Sequence, residues 1–338
     1  MIPVKLRFRL AWSLLGLLAA LPFSACSRGR RVQETAYVSA TQAILRDQVA
    51  VVYKKTGTVK NGEPVQVLER ERRFVRVRAA DGAEGWVEQR ALVPKQVYDE
   101  FQRLAQQEQN SPAQAPAVTR NDTNTHLEPN RDAEHLYQLD QGSKVSILKR
   151  ATSEKKLPGG ARPTPDRKQS QPVAPPMEDW WLVRDAQGHV GWVLGRMLDI
   201  DAPLEIAQYA EGRRIVAFFM LNQVADGDKK VAQYLVVLTE PKDGMPFDYN
   251  QIRVFTWNVK RHRYETAYRE RNLNGVLPVS VSQEDFEKEG TLPVFVLRVK
   301  ADSGSVVERK YKLNTPIVRR VLAPGEQQPK PVARKKRR

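Results

Sequence analysis

The groups best suited to covalent chemistry in this sequence are one thiol and four imidazoles. Cys26 is the sole cysteine, and the histidines are His126, His135, His189 and His262. A cysteine nucleophile needs its thiolate beside a base, and Cys26 is remote in sequence from every histidine. No Gly-x-Ser-x-Gly elbow and no His-Glu-x-x-His pair occurs. The scattered histidines read as surface or turn positions rather than metal ligands. Acidic neighbours such as Glu284 and Asp285 lie in polar surroundings, where a catalytic pKa is hard to tune. The expectation is a protein that is not an enzyme, with no cofactor and no metal.

If the chain binds rather than reacts, aromatic and charged side chains must be positioned by regular elements, and one pattern occurs twice. Residues 82–92 contain Gly82, Gly85, Trp86, Val87, Arg90 and Leu92. Residues 188–198 repeat them as Gly188, Gly191, Trp192, Val193, Arg196 and Leu198, at an offset of 106. Upstream, Phe74, Val77, Arg78 and Ala80 pair with Trp180, Val183, Arg184 and Ala186 at the same offset. Farther upstream, Gly62, Val65, Val67 and Leu68 pair with Gly142, Val145, Ile147 and Leu148 at an offset of 80. An insert therefore separates two strands of the second copy. It is assigned to 151–176, which holds six prolines and Gly159-Gly160, a composition unable to build a core. Hairpin-tip insertion costs little, because closure entropy grows only logarithmically with length.

Composition sets the frame. The chain has 338 residues, 41% hydrophobic and 28% charged, with a net charge of +16. These values suit soluble domains rather than a membrane bundle, and one cysteine excludes an intramolecular disulfide. The charge sits at the ends. Lys5, Arg7 and Arg9 precede an apolar run, Leu10–Leu21, and the tail closes on Arg334, Lys335, Lys336, Arg337 and Arg338. The run is too short to span a bilayer and has the length of an export signal's apolar core.

Short alternating strands broken by tight turns, with Gly-Trp-Val followed by x-x-Arg-x-Leu, resemble the bacterial SH3-like domain. The resemblance covers 36–94 and again 118–200. Leu21-Pro22-Phe23-Ser24-Ala25-Cys26 resembles the lipobox of bacterial lipoproteins, with Phe23 departing from the usual leucine. That resemblance implies a signal peptide over 1–25, lipidation of Cys26 and a polar tether over 26–35. Ser27, in place of a retention aspartate, implies the periplasmic face of the outer membrane.

Between the copies, Val97, Phe101 and Leu104 recur on one helical face, so 95–117 is read as a helical linker, flexible from Ser111 to Pro116. Residues 204–322 lack the Gly-Trp-Val signature. Their dense strand-like runs, including Tyr264–Tyr268, predict an antiparallel β domain, with a helical turn near Gln283–Lys288. Residues 323–338 form a basic tail suited to anionic surfaces. The fold class expected is mainly all-β: two small SH3-like barrels joined by a short helical linker, plus a C-terminal antiparallel β domain.

Trp86 and Trp192 are expected in the core, and Arg90 and Arg196 as strand or turn anchors. The candidate ligand-binding residues are Tyr37, Tyr53, Tyr137, Trp180 and Trp181. Consecutive strand residues face opposite ways, so one of Trp180 and Trp181 is expected outside. The function expected is non-catalytic binding at the cell envelope, to peptidoglycan or an envelope protein partner. The alternative is a scaffold subunit that ignores glycan. Export makes nucleic acid an unsuitable partner for the tail.

Overall fold

Glycine-bearing turns cut the sequence into short β runs. In the computed structural model, which describes residues 32–155 and 175–322, these runs build three antiparallel sheets of seven strands each. The signal segment 1–25, Cys26, the tether to residue 31, insert residues 156–174 and the tail from 323 lie outside the described residues.

The first sheet comprises β1 (Glu34–Val38), β2 (Gln42–Arg46), β3 (Lys55–Lys60), β4 (Pro64–Glu71), β5 (Phe74–Arg78), β6 (Glu84–Glu88) and β7 (Leu92–Pro94). Their order is β3-β2-β6-β5-β4-β1-β7. Helix α1 (Lys95–Gln107) follows. The second sheet comprises β8 (Ala115–Thr119), β9 (Thr123–His126), β10 (His135–Leu139), β11 (Lys144–Glu154), β12 (Met177–Arg184), β13 (Val190–Leu194) and β14 (Leu198–Ile200). Its order is β10-β9-β13-β12-β11-β8-β14, the first order displaced by seven.

The match extends to register. Trp86 faces Arg76 on β5, and Trp192 faces Leu182 on β12. Each sheet carries an irregularity at the same place, between Val67 and Glu69 and between Ile147 and Lys149. The glycine before each tryptophan is needed for close approach. A Cβ on Gly85 would lie 2.7 Å from the Leu45 Cβ, and one on Gly191 2.7 Å from the Thr125 Cβ.

Two boundaries differ from the sequence reading. Ala151–Glu154, assigned to the insert, continue β11 and pair with Met177–Trp180 on β12, so the hairpin is longer and the insert narrower. The Lys155 N–H donates to the Pro176 carbonyl at 2.7 Å, one step beyond them. The stretch expected to be a flexible linker is ordered at Gln114 and Ala115, which are buried, and β8 begins inside it.

The third sheet is a meander. It runs through β15 (Arg214–Asp226), β16 (Lys229–Thr239), β17 (Tyr249–Asn258), β18 (Arg263–Asp285), β19 (Thr291–Lys300), β20 (Val306–Asn314) and β21 (Ile317–Val321), with neighbours in chain order. A single turn, α2 (Leu204–Ala207), precedes it. The short strand read at Tyr264–Tyr268 belongs to the 23-residue β18. The first part of β18 pairs with β17 and its later part with β19. The helical turn expected near Gln283–Lys288 reduces to Glu287–Glu289, because Gln283–Asp285 stay in β18.

The cores explain the grouping. Val38, Leu45, Val67, Val75 and Val87 form a core within the first sheet. The second and third sheets share one core, in which Ile147, Trp181 and Val193 join Val237, Ile252 and Phe295.

Candidate functional site

Helix α1 docks the first sheet to the second. Its buried face, Val97 and Phe101, packs with Val93, Leu136 and Tyr137. Phe101 meets Tyr137 edge-on at 5.5 Å, and Tyr98 stacks on Tyr37 at 3.9 Å. Tyr137 also stacks on His189 at 3.8 Å, and Gln102 Nε2 donates to its hydroxyl at 3.0 Å. Burial pushes the Tyr137 hydroxyl up to about 12. Two candidate ligand residues, Tyr37 and Tyr137, thus lie together in this packed cluster around the helix.

Beside the cluster, Asn61 closes an edge. Its Nδ2 donates to the Leu136 carbonyl at 2.7 Å, and the Gln138 N–H donates to its Oδ1 at 3.1 Å. Strand β10 is an outer strand, whose free backbone groups otherwise invite pairing. One side-chain amide satisfies a donor and an acceptor there. Thr41 Oγ1 bonds the Gln138 side chain from the same side.

These contacts hold the sheets so that a cavity of about 470 Å³ opens between them. The first sheet contributes Arg46, Glu88 and Arg90, and the second contributes Asn124, His135 and Gln138. Glu88 lies between two guanidiniums, with Arg46 Nη2 at 3.5 Å from Oε1 and Arg90 Nε donating to Oε2 at 2.7 Å. The Arg46 guanidinium is fixed over the Tyr53 ring at 4.2 Å and near the Phe74 ring at 5.4 Å, a cation–π arrangement. Tyr53 therefore shapes the wall by holding Arg46. Arg90 ties its turn back to β6 through Glu88, yet its side chain is 86% exposed and also faces the opening.

A second cavity, about 370 Å³, adjoins the first by sharing Asn124 and Gln138. It lies on the face of the second sheet that corresponds to Arg46 and Phe74, where the chain now has His126 and Trp180. His126 Nδ1 donates to the Ala133 carbonyl at 3.1 Å, and its ring meets Trp180 edge-on at 5.4 Å. Burial lowers the His126 pKa, and the neighbouring His135 adds to the shift. Arg131 closes the rim through three hydrogen bonds of 2.7, 2.9 and 3.1 Å to Glu178.

Neither Trp180 nor Trp181 is outside, contrary to the alternation argument. Trp180 is 1% exposed and Trp181 4%, because the sheet is covered on both faces. On one face His126 meets Trp180, whose Nε1 has no hydrogen-bond partner among the described residues. Trp181 faces the core shared with the third sheet. Trp86 is buried as expected, whereas Trp192 is only partly buried, against Leu148, Leu182 and Val190. Arg196 ion-pairs with nothing among the described residues and, like Arg90, lines a cavity.

Sequence reasoning missed Arg46, Glu88, Asn124, His135 and Gln138. A signal was available: where the repeats align, Arg46 stands against His126 and Glu88 against Leu194. Substitution on an otherwise matched strand marks a position the fold does not dictate. The lipidation candidate Cys26 and the tail residues Arg334, Lys335, Lys336, Arg337 and Arg338 lie outside the described residues.

Among the described residues no group of three or more His, Cys, Asp or Glu side chains could hold a metal ion, and no helix is long and apolar enough to cross a membrane. No curated protein matches the sequence. Among solved structures, the chain is similar to an NlpC/P60 family protein from Bacillus cereus at 11% identity and a TM-score of 0.24, over 56% of this chain and 65% of that one. It is similar to NlpC1 from Trichomonas vaginalis at 9% identity and a TM-score of 0.18, over 73% and 95% of the two chains. Residues 42–93, from the start of β2 into β7, match the family model of the bacterial SH3 domain, and this stretch of the first sheet is such a domain.

Proposed function

We propose that the protein is a non-catalytic binding protein of the bacterial cell envelope that takes a peptidoglycan stem peptide into the cleft between its first two sheets. The observation that carries this reading is the placement of Arg90, Glu88 and Arg46 of a bacterial SH3 domain opposite the neutral side chains of Asn124 and Gln138. Stem peptides present free carboxylates and amines. The exposed Arg90 fork suits a carboxylate, Glu88 suits an ammonium, and the amides can pair with peptide groups. The second sheet, with its matching strand order, serves as a second SH3-like module. A lipid on Cys26 would place the cleft at the periplasmic face of the outer membrane. Equal fatty-acid labelling of wild type and Cys26→Ser would remove that anchor.

Co-sedimentation with purified sacculi tests the binding reading. The wild type is expected to pellet with sacculi, and Arg90→Gln to weaken binding about tenfold, the scale of one charge-assisted hydrogen bond. An intact protein that stays in the supernatant, and that crosslinks in cells to one discrete envelope protein, would instead establish the scaffold role.

A further inference from the structure

The junction between the second and third sheets contains a separate cavity of about 430 Å³, and its charge is unbalanced. Four arginines line it: Arg120, Arg196, Arg213 and Arg214. The acids lining it are Asp199 and Asp243. Arg120 is paired with Asp199 at 2.5 Å. Arg214 is paired with Asp243 at 2.9 Å and reaches the buried Asp179 at 3.2 Å. The Arg213 guanidinium donates only to the neutral Asn250 Oδ1, at 3.0 Å, among the described residues. Arg196 has no such partner. Arginine stays protonated in proteins, so two guanidiniums face this space without a counter-charge.

The fold fixes the backbone of both residues beside the cavity. Arg196 lies in the three-residue helical turn Gly195–Met197, immediately before β14. The Arg213 backbone N–H donates to the Ala210 carbonyl at 3.0 Å, which fixes it just before β15. Between them the cavity has an apolar side, where Trp181, Ala207 and Ala210 contribute.

We infer that this cavity binds a phosphate monoester, whose phosphoryl group is held between Arg196 and Arg213 and whose organic part lies against Trp181, Ala207 and Ala210. The two guanidiniums belong to different elements, the turn before β14 and the residue just before β15. A tetrahedral phosphoryl group offers oxygens outside a single plane and can engage both, whereas one guanidinium already satisfies a planar carboxylate bidentately. A dianion also matches the two uncompensated charges. The site is independent of the stem-peptide cleft, being built by the second and third sheets instead of the first and second.

Calorimetric titration of the full chain at fixed ionic strength tests the assignment, with phenyl phosphate, inorganic phosphate and benzoate as probes. Phenyl phosphate is expected to bind saturably and most tightly, inorganic phosphate more weakly and benzoate least. Arg196→Gln, an exposed position whose loss should not disturb folding, is expected to weaken phenyl phosphate about ten- to hundredfold. Arg213→Gln is expected to do the same, and Lys55→Gln, on β3 of the first sheet, to change nothing. Vesicles containing phosphatidic acid carry the same monoester. Capture by them that phenyl phosphate reverses identifies a lipid source, and no capture alongside phenyl phosphate binding identifies a soluble one. Absence of saturable phosphate binding, equal affinity for benzoate, or affinity unchanged in Arg196→Gln would each overturn the site.

Discussion

The second sheet has two junctions built on different principles. Toward the first sheet it meets an aromatic helix face and one bridging asparagine, and it leaves a polar cleft. Toward the third sheet it contributes to a common apolar core and buries charge. Arg150 and Asp179, 4% and 2% exposed, pair at 2.6 Å, and Arg150 Nη1 also donates to the Phe247 carbonyl at 2.8 Å. The Gly244 N–H donates to Asp179 Oδ1 at 2.9 Å. Gly244 has φ +76°, and a Cβ there would lie 2.4 Å from the Met177 Cβ, so the third-sheet loop can approach β12 only as glycine. A junction that buries charge cannot part without exposing unpaired groups, whereas one lined by partly exposed polar groups can exchange them for a ligand or water.

The largest expected effect therefore lies at the second–third junction. Asp179→Ala leaves the buried Arg150 only its longer 3.3 Å contact to Asp248 and takes a partner from Arg214, and breaking such a buried pair costs about 3–5 kcal/mol. Urea unfolding followed by tryptophan fluorescence should register the loss. Hydrogen exchange should show protection falling in both the second and third sheets while strands β1–β7 keep theirs. A loss confined to one of the two sheets would break the comparison, since it would mean that they do not share one core.

A matched pair of amides sharpens it further. At the bend of β18, pairing with β19 skips from Val276 to Ser280, which leaves the intervening backbone groups to find other partners. Gln114, 1% exposed, supplies them for Val279: its Oε1 accepts from the Val279 N–H at 2.8 Å and its Nε2 donates to the Val279 carbonyl at 3.3 Å. Asp248 accepts from the Leu277 N–H at 2.8 Å. Gln114→Ala orphans two buried groups and is expected to cost about 2–4 kcal/mol. Asn61→Ala removes the same kind of bridge at the first–second junction, where Asn61 and Gln138 are only partly buried, and is expected to cost about 1 kcal/mol. Equal losses by denaturant titration would refute the distinction.

How legible these features were depends on the range of the interactions. The repeated Gly-Trp-Val segments were readable because each sheet reuses local pairings, and the change of offset from 80 to 106 located the longer hairpin. Helix α1 was readable from Val97 and Phe101. Gln114 was not, because a glutamine between prolines looks solvent-exposed until β18, far along the chain, brings Val279 to it. The burial of both Trp180 and Trp181 was hidden for a related reason. Alternation predicts opposite faces, and only the tertiary arrangement covers them both. Arg90 and Arg196 looked like anchors because they recur, yet both face cavities, so recurrence at these positions did not distinguish support from exposure.

The smallest expected effect distinguishes the junctions by the sign of their response to acid. His126, beside the first–second cleft, has its pKa lowered from 6.5 by burial. As pH falls below that value the unfolded chain takes up the proton first, so stability present at neutral pH is lost as pH drops through the folded value. Asp248, at the second–third junction, has its pKa raised from 3.8 by burial. Its contribution runs the other way: it favours the folded state on acidification and is lost as pH rises through the folded value. Replacing His126 with asparagine should therefore reduce the drop in Tm between pH 7.5 and 5.5, while Asp248→Asn should leave that drop intact and, by removing a contribution that grows on acidification, steepen the loss only at lower pH. Arg46, the counterpart of His126 in the first sheet, stays protonated throughout, so this position carries an acid response only in the second sheet. If His126→Asn and wild type lose the same Tm over this interval, the buried imidazole is not what couples the cleft to pH.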